Sequence, residues 1–266
     1  MKTITSRQNP IVGAFRELAD TPDPAGRRLL LDGPHLVRDA LDAGLEFELA
    51  AVARAHDEDA GDIATLADAL RRRGVELVTV NDAVFDALSP VRTPAGIVAI
   101  ARREQATVDH ICRDPRALIV AALDVQDPGN LGSLIRAAEA GGATGLLVGG
   151  ASAHPFGWKA LRGSMGSALR LPIAAGLDAP AIVEALRSNT VRMLATTPHD
   201  GRNPDDVDWV PPCAVLLGGE GAGLPPVLID AADERVTIPM AAPVESLNVA
   251  VAGALLIYAA RRQRMS

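Results

Sequence analysis

Three segments in the second half of the chain carry polar or glycine residues where a predicted strand ends. In the first, residues 124–136, the turn Asp127-Pro128-Gly129 precedes a predicted helix that holds Asn130 and Arg136. The free N–H groups of a helix N-terminus and a nearby guanidinium attract anions such as phosphate. Asp, Pro and Gly are common in turns that have no functional role, so the turn itself is weak evidence for a site. Arg136 is therefore a stronger functional candidate than the turn residues.

The second segment, residues 216–224, surrounds a single charge, Glu220, with Gly218, Gly219, Gly221 and Gly223. Glycine allows the backbone to approach a ligand closely, although such turns are also common for structural reasons alone. A dinucleotide-binding or class I methyltransferase loop is excluded, because Pro225 and Pro226 follow and no acidic residue ends a following strand at the required distance.

The third segment, residues 238–249, leads from a strand into an apolar helix. Ser246 is the predicted N-cap of that helix. Asn248 is then placed inside the first turn, among apolar residues, where capping does not explain it. Because a buried amide must be hydrogen-bonded, we expect Asn248 either to tie loops together or to face a ligand.

The hydrophobic pattern predicts the elements that position these segments. With 48% hydrophobic but only 3% aromatic residues, the core must consist of small aliphatic side chains, which is typical of buried parallel strands under helices. Strands are predicted at residues 28–33, 49–53, 75–80, 96–101, 117–123, 145–148, 171–174, 191–196, 213–217 and 235–238. Helices are predicted at residues 34–43, 62–73, 81–87, 132–140, 158–167, 180–187 and 247–262. This alternation predicts an α/β fold with a parallel sheet in its second part.

The pattern is lost over residues 102–110, which we interpret as a linker. The predicted domains are therefore residues 1–105 and residues 106–266, the first being the smaller.

Composition excludes several classes of protein. The net charge of −7 does not indicate a basic nucleic-acid-binding domain, so any RNA contact must come from a local patch. Cys112 and Cys213 have no ligand-like neighbours in the sequence, which argues against a metal site and favours reduced thiols.

The longest apolar run, residues 248–260, is shorter than the roughly 20 residues of a membrane-spanning helix. The N-terminal residues lack the apolar stretch of a signal peptide. We therefore expect a cytoplasmic protein with no membrane association.

A basic and serine-containing segment, residues 159–166, lies between the first and the second of the three segments. Taken together and in this order, the segments resemble the SpoU/TrmH-type RNA 2′-O-ribose methyltransferases of the SPOUT class. The resemblance to the catalytic domain covers residues 117–262. The N-terminal part resembles an L30e-like substrate-binding domain at residues 6–10, 33–37 and 93–97.

The resemblance implies S-adenosylmethionine as methyl donor, a homodimer, and a C-terminal domain with a trefoil knot, a rare exception to ordinary connection rules. It also implies that the second and third segments form the cofactor cleft, largely through backbone groups, so that the glycines serve close approach to the ligand. The cofactor-binding residues it implies are Thr196, Leu217, Gly218, Gly219, Ile238, Met240 and Leu247.

The implied reaction is displacement at a sulfonium methyl by a ribose 2′-hydroxyl. The resemblance assigns catalysis to Arg136, with positioning by Asn130, Glu220, Ser246 and Asn248. Arginine is an awkward general base, because its pKa exceeds about 12. We therefore predict that Arg136 orients the ribose and an adjacent phosphate and stabilises developing negative charge; it would act as a base only if burial and the cofactor's charge depress its pKa.

RNA recognition is expected from the first domain and the rim of the cleft. The candidate RNA contacts are Arg7, Arg27, Arg28, His35, Arg38, Arg92 and Arg162, with Ser164 as an RNA or cofactor contact. The predicted substrate is 23S ribosomal RNA, because tRNA enzymes of this type usually lack the N-terminal domain. A tRNA methyltransferase and an inactive ribosome-binding module are the alternatives, and the intact set of catalytic residues argues against the module.

Overall fold

The computed structural model describes residues 2–54, 61–219, 221 and 223–265. The chain forms two compact units, one comprising Met1–Glu104 and Phe156–Arg170, the other Gln105–Pro155 and Leu171–Ser266. Residues 156–170, which the sequence assigned to the second domain, thus pack with the first unit. The functional division at residue 105 stays a prediction.

The first unit is a mixed five-stranded sheet with helices, its strands in the order β1-β4-β3-β5-β2. Strand β4 is parallel to β1 and β3, whereas β5 is antiparallel to both β3 and β2. In chain order the elements are β1 (Lys2–Ile4), α1 (Pro10–Asp20), β2 (Arg28–Asp32), α2 (Pro34–Asp42), β3 (Glu46–Ala53), α3 (Asp62–Arg72), β4 (Glu76–Val80), α4 (Asp82–Leu88) and β5 (Ile97–Arg102). Two more helices of this unit, α7 (Trp158–Ser164) and α8 (Ser167–Arg170), come later in the chain, between elements of the second unit.

Helix α1 was not predicted from the sequence, although its start signal is clear. Asn9 caps the helix by accepting a hydrogen bond from the N–H of Ile11, and Pro10 occupies the first turn. Its buried side chains, Val12, Phe15 and Leu18, recur at helical spacing and join the core of the first unit.

The helix predicted over residues 158–167 is divided in two. Met165 adopts a left-handed conformation with φ of 49° and ends α7, and Gly166 has φ of 80°. A Cβ atom on Gly166 would lie 2.2 Å from the Asp39 carboxylate, so only glycine fits at this break.

The second unit is a six-stranded sheet in the order β11-β9-β10-β6-β7-β8, and every strand pair in it is parallel. The predicted α/β fold with a parallel sheet is confirmed. In chain order its elements are α5 (Val108–Cys112), β6 (Leu118–Leu123), α6 (Pro128–Gly141), β7 (Gly145–Gly149), β8 (Ile173–Leu177), α9 (Ala179–Ser188), β9 (Arg192–Thr196), a 3-10 turn (Pro204–Asp206), β10 (Cys213–Leu217), α10 (Pro226–Ala231), β11 (Glu234–Val236) and α11 (Val249–Arg264).

Three details of this unit differ from the sequence interpretation. Helix α5, capped by Thr107, begins within the predicted linker. Helix α10 follows the two prolines and was not predicted. The predicted strand at residues 235–238 spans Glu234–Val236 instead, because the chain leaves the sheet for an extended segment that borders the cleft described below.

Helices α6 and α11 pack closely because each contributes a glycine to their contact. A Cβ atom on Gly141 would lie 2.2 Å from Ile257, and one on Gly253 would lie 2.3 Å from Leu134. This packing fixes the N-termini of both helices beside the edge where the parallel strands end.

Candidate active site

A cleft of about 660 Å³ opens at the carboxyl ends of the neighbouring strands β9, β10 and β11. Crevices at this edge of a parallel sheet are where α/β proteins bind ligands. Its wall includes every cofactor-binding residue that the family resemblance implies: Thr196, Leu217, Gly218, Gly219, Ile238, Met240 and Leu247. Ser246 and Asn248 line it as well.

The glycine turn after β10 is required by packing within the protein. A Cβ atom on Gly218 would lie 2.1 Å from the carbonyl carbon of Gly223, and one on Gly219 would lie 2.1 Å from the carbonyl oxygen of Asp124. Gly221 and Gly223 have φ of 93° and 69°, which a side chain would strain. The structural reason that the sequence left open for these glycines, beside approach to a ligand, is therefore present. Glu220, predicted to be catalytic, lies outside the described residues.

The loop after β9 forms a second wall and was missed by the sequence analysis. Thr197, Pro198 and His199 all line the cleft. The Thr197 hydroxyl donates to the carbonyl oxygen of His199 at 2.8 Å, and the Thr237 hydroxyl donates to the carbonyl oxygen of Thr197 at 3.0 Å. This hydroxyl network holds His199 at the rim.

Asn248 joins the first and third segments. Its side-chain oxygen accepts hydrogen bonds from the N–H groups of Ala250 and Val251, and its Nδ2 donates to Oδ1 of Asn130 at 2.9 Å. The prediction that Asn248 lies buried inside the helix was wrong, as was the assignment of Ser246 as the cap: Asn248 is exposed and is itself the N-cap of α11. Its predicted role in tying loops together agrees with this geometry.

Arg136 is exposed on α6 and is absent from the cleft lining. It lies six residues beyond Asn130, which corresponds to about 9 Å along the helix axis. The structure thus places Ser246 and Asn248 on the wall of the cleft and joins Asn130 to Asn248, but Arg136 of the same chain does not line the cleft.

The predicted RNA contacts lie in the first unit in different settings. Arg27, His35, Arg92 and Arg162 are exposed. Arg7 Nε donates to the Ala83 carbonyl at 2.8 Å, and Arg38 pairs with Asp62.

Ser164 is not a ligand contact. It is fully buried in α7, where its hydroxyl donates to the Leu161 carbonyl at 2.8 Å.

Burial raises the pKa of the Asp32 carboxyl. The hydrogen bond that Asp32 accepts from Ser89 and the charge of Arg162 oppose this rise.

Among the described residues, no three His, Cys, Asp or Glu side chains gather as a metal ion would require. Nor does any helix in the described part of the chain have the length and apolar character to cross a membrane.

Comparisons with known proteins decide the family. The sequence profile of the SpoU rRNA methylase family matches residues 117–258. The chain belongs to this family. The profile of the MRM3-like substrate-binding domain matches residues 23–99, so the expected substrate-binding domain is confirmed as well.

Two relatives and a solved structure match nearly the full length of this SpoU family member. An uncharacterized tRNA/rRNA methyltransferase from Synechocystis is 34% identical, covering 98% of this chain and 94% of the relative. The 23S rRNA guanosine 2′-O-methyltransferase RlmP of Bacillus subtilis is 29% identical, covering 97% and 98%. The AdoMet-bound rRNA methyltransferase of Sinorhizobium meliloti superposes with a TM-score of 0.87 at 30% identity, covering 100% of this chain and 99% of that one.

Proposed function

We propose that this protein transfers a methyl group from S-adenosylmethionine to a ribose 2′-hydroxyl of 23S ribosomal RNA. The observation that carries the proposal is the convergence of every implied cofactor residue on one cleft. The Bacillus subtilis relative, whose name gives the same activity, supports the proposal. So does the similar structure that was solved with the cofactor bound. The match to a substrate-binding domain favours ribosomal RNA over tRNA.

The cleft suits this cofactor in size and chemistry. Its volume of about 660 Å³ is typical of sites for ligands of this size. Leu217, Ile238 and Leu247 offer apolar contacts to an adenine ring, and the glycine turn exposes backbone groups. Glu245 adds a carboxylate and His199 an imidazole at the rim.

When bound, S-adenosylmethionine supplies an electrophilic methyl group on a positively charged sulfur. The 2′-oxygen forms the new bond to this carbon as the carbon–sulfur bond breaks, and the hydroxyl proton must leave. The proton passes to solvent water, and the side chains of this protein have to orient the ribose. We assign orientation to the rim residues Asn130, Ser246 and Asn248, together with Glu220.

Arg136 is proposed to bind the phosphate beside the target ribose and to stabilise developing charge on the 2′-oxygen. Replacing Arg136 with Ala is expected to abolish methyl transfer while leaving S-adenosylmethionine affinity unchanged, because the side chain does not line the cleft of its own chain and is proposed to bind the RNA phosphate, not the cofactor. Arg136→Lys is expected to retain a small part of the activity, since lysine keeps the charge but not the planar donor pair. Equal losses of cofactor binding, measured by calorimetry, and of turnover would argue against this role.

We also propose a homodimer. Val251, Leu255 and Tyr258 are 49%, 48% and 43% exposed and form one stripe of α11 at helical spacing, which borders the contact with α6 at the Tyr258 ring. A second copy would cover this stripe through a self-complementary contact. Because Arg136 does not line the cleft of its own chain, we propose that the second copy presents it there.

Three parts of the proposal follow from the family. The C-terminal unit is proposed to contain a trefoil knot. The division near residue 105 is proposed to separate RNA binding from catalysis. The protein is proposed to act in the cytoplasm, where ribosomal RNA is found. No metal is part of the proposed reaction, because the sulfonium already activates the methyl group.

Two experiments separate this function from its alternatives. Calorimetric titration with S-adenosylmethionine is expected to show binding, whereas an inactive ribosome-binding module would show none. Mapping 2′-O-methyl groups in RNA from cells with and without the gene is expected to reveal one lost site in 23S ribosomal RNA. A lost site in tRNA would support the tRNA alternative instead.

A further inference from the structure

Two arginine pairs meet at one end of the first unit's sheet. Arg27 and Arg28 lie at the start of β2, and Arg102 and Arg103 at the end of β5. The strands are antiparallel with Arg28 opposite Arg102, and the N–H of Arg103 donates to the carbonyl oxygen of Arg27 at 2.9 Å. Four arginine residues therefore border a single cavity of about 680 Å³.

Only part of this charge is neutralised by ion pairs. Glu48 pairs with both Arg28, at 3.0 Å, and Arg102, at 2.5 Å. The carboxylate of Asp23 accepts hydrogen bonds from the backbone N–H groups of Arg27 and Arg28 at 2.8 and 2.9 Å, so it serves the turn. Glu46 and Glu104 also line the cavity, but both are exposed, where water screens their charge.

Arg103 is the unusual member of the group. Its guanidinium lies 4.0 Å from the centre of the Phe156 ring, and its Nη1 atom is buried with no hydrogen-bond partner among the described residues. Phe156 is fixed in turn by Gly26, where a Cβ atom would lie 2.4 Å from the ring. Burial lowers the pKa of Arg103 to about 10, so the group is still charged at neutral pH.

A largely desolvated cation without a carboxylate partner is costly unless a ligand supplies the missing charge. Arg103 is half-buried and lines the cavity, so an anion can approach its exposed part while Nη1 itself stays buried. Planar guanidinium groups match the oxygen geometry of phosphate.

We propose that this cavity binds a phosphate group of the RNA backbone, held by Arg103 and Arg27. The site rests on the proposed function, since RNA is the anion that the protein is proposed to bind. It adds Arg103 to the predicted RNA contacts and gives Arg27 a specific partner.

The test compares Arg103→Gln and Arg27→Gln with Arg16→Gln, a control at an exposed arginine of α1 that does not line the cavity. Affinity for a 23S ribosomal RNA transcript is measured by filter binding over a range of salt concentrations. Losing one phosphate contact is expected to weaken binding about tenfold or more and to reduce the salt slope by about 0.7 to 0.9. Arg16→Gln is expected to leave both values unchanged, and thermal unfolding confirms that each variant is folded.

Wild-type RNA affinity and salt slope in folded Arg103→Gln and Arg27→Gln would overturn the proposal. A second arm measures thermal stabilisation of the same proteins by inorganic phosphate against chloride of equal ionic strength. Stabilisation that Arg103→Gln loses, with RNA affinity unchanged, would assign the cavity to a free anion and overturn the RNA assignment. Both arms measure binding alone, so failure of the proposed methyl transfer would be seen separately, in the turnover assay.

Discussion

Asn248 combines two tasks that single substitutions can separate. Asn248→Ala removes the cap of α11 and the bond to Asn130, and is expected to cost about 1 kcal/mol of stability and most of the methyl transfer. Asn248→Ser keeps a capping oxygen but loses the amide donor, so stability should be nearly restored while turnover stays low. Thermal unfolding and methyl transfer measure the two effects; full turnover in Asn248→Ser would exclude a role for the bond to Asn130.

His199 is the one side chain capable of positive charge among the described residues that line the cleft. We expect it to bind the carboxylate of the cofactor's methionine part. His199→Ala should then weaken S-adenosylhomocysteine about tenfold, in line with a hydrogen bond to a charged group, without affecting 5′-methylthioadenosine, which lacks that part.

The control for this prediction is His110→Ala, at an exposed histidine of α5 outside the cleft. Calorimetry measures both ligands. Equal weakening of the two would place His199 near the adenosine instead.

Among single residues, those implied to bind the cofactor line one cleft, and their types were recognisable because they repeat a family pattern. His199 carries no such signal, since the hydroxyl network of Thr197 and Thr237 brings it to the cleft. Ser164 fits the family pattern but is used for packing, which residue type alone does not reveal.

The turn between β10 and α10 depends on glycines that touch neighbouring backbone. Gly219→Ala would place a methyl group 2.1 Å from the carbonyl oxygen of Asp124, so the turn must shift. We expect a lower melting temperature and loss of S-adenosylmethionine binding.

The matched control is Gly13→Ala in α1, where a Cβ atom meets nothing within 4 Å. There alanine should stabilise the helix by about 0.5–1 kcal/mol. Thermal unfolding compares the two variants, and unchanged stability and cofactor affinity in Gly219→Ala would contradict the packing described for the turn.

At the scale of elements, apolar strands such as β6 and β10 were predictable because every residue in them is buried. Helix boundaries were less so. The start of α11 at Asn248 and the break at Met165 depend on side-chain bonds and backbone conformations that periodicity does not encode.

For the whole molecule, the proposed dimer predicts that a charge on the exposed stripe of α11 separates the copies. Leu255→Glu is expected to give a monomer in light scattering, since burying an unpaired carboxylate is costly. Val227→Glu changes an apolar residue of similar exposure on α10 and should remain dimeric. A dimeric Leu255→Glu protein would exclude this face.

A shared active site makes a sharper prediction. Arg136→Ala lacks the arginine, and Leu247→Arg is expected to block the cofactor cleft, so each should be inactive alone. If the second copy supplies Arg136, mixed dimers contain one intact site and should restore about a quarter of wild-type turnover. No recovery after subunit exchange would contradict an arginine supplied by the partner.

Methyl transfer to a ribose 2′-oxygen of ribosomal RNA can be observed directly. The most direct measurement incubates the purified protein with S-adenosylmethionine carrying a radioactive methyl group and unmodified 23S ribosomal RNA, followed by digestion and chromatography of the nucleosides. We expect label in a single 2′-O-methylated nucleoside and no label with Arg136→Ala. Label on a base, or no label from a protein that binds the cofactor, would exclude transfer to the 2′-oxygen.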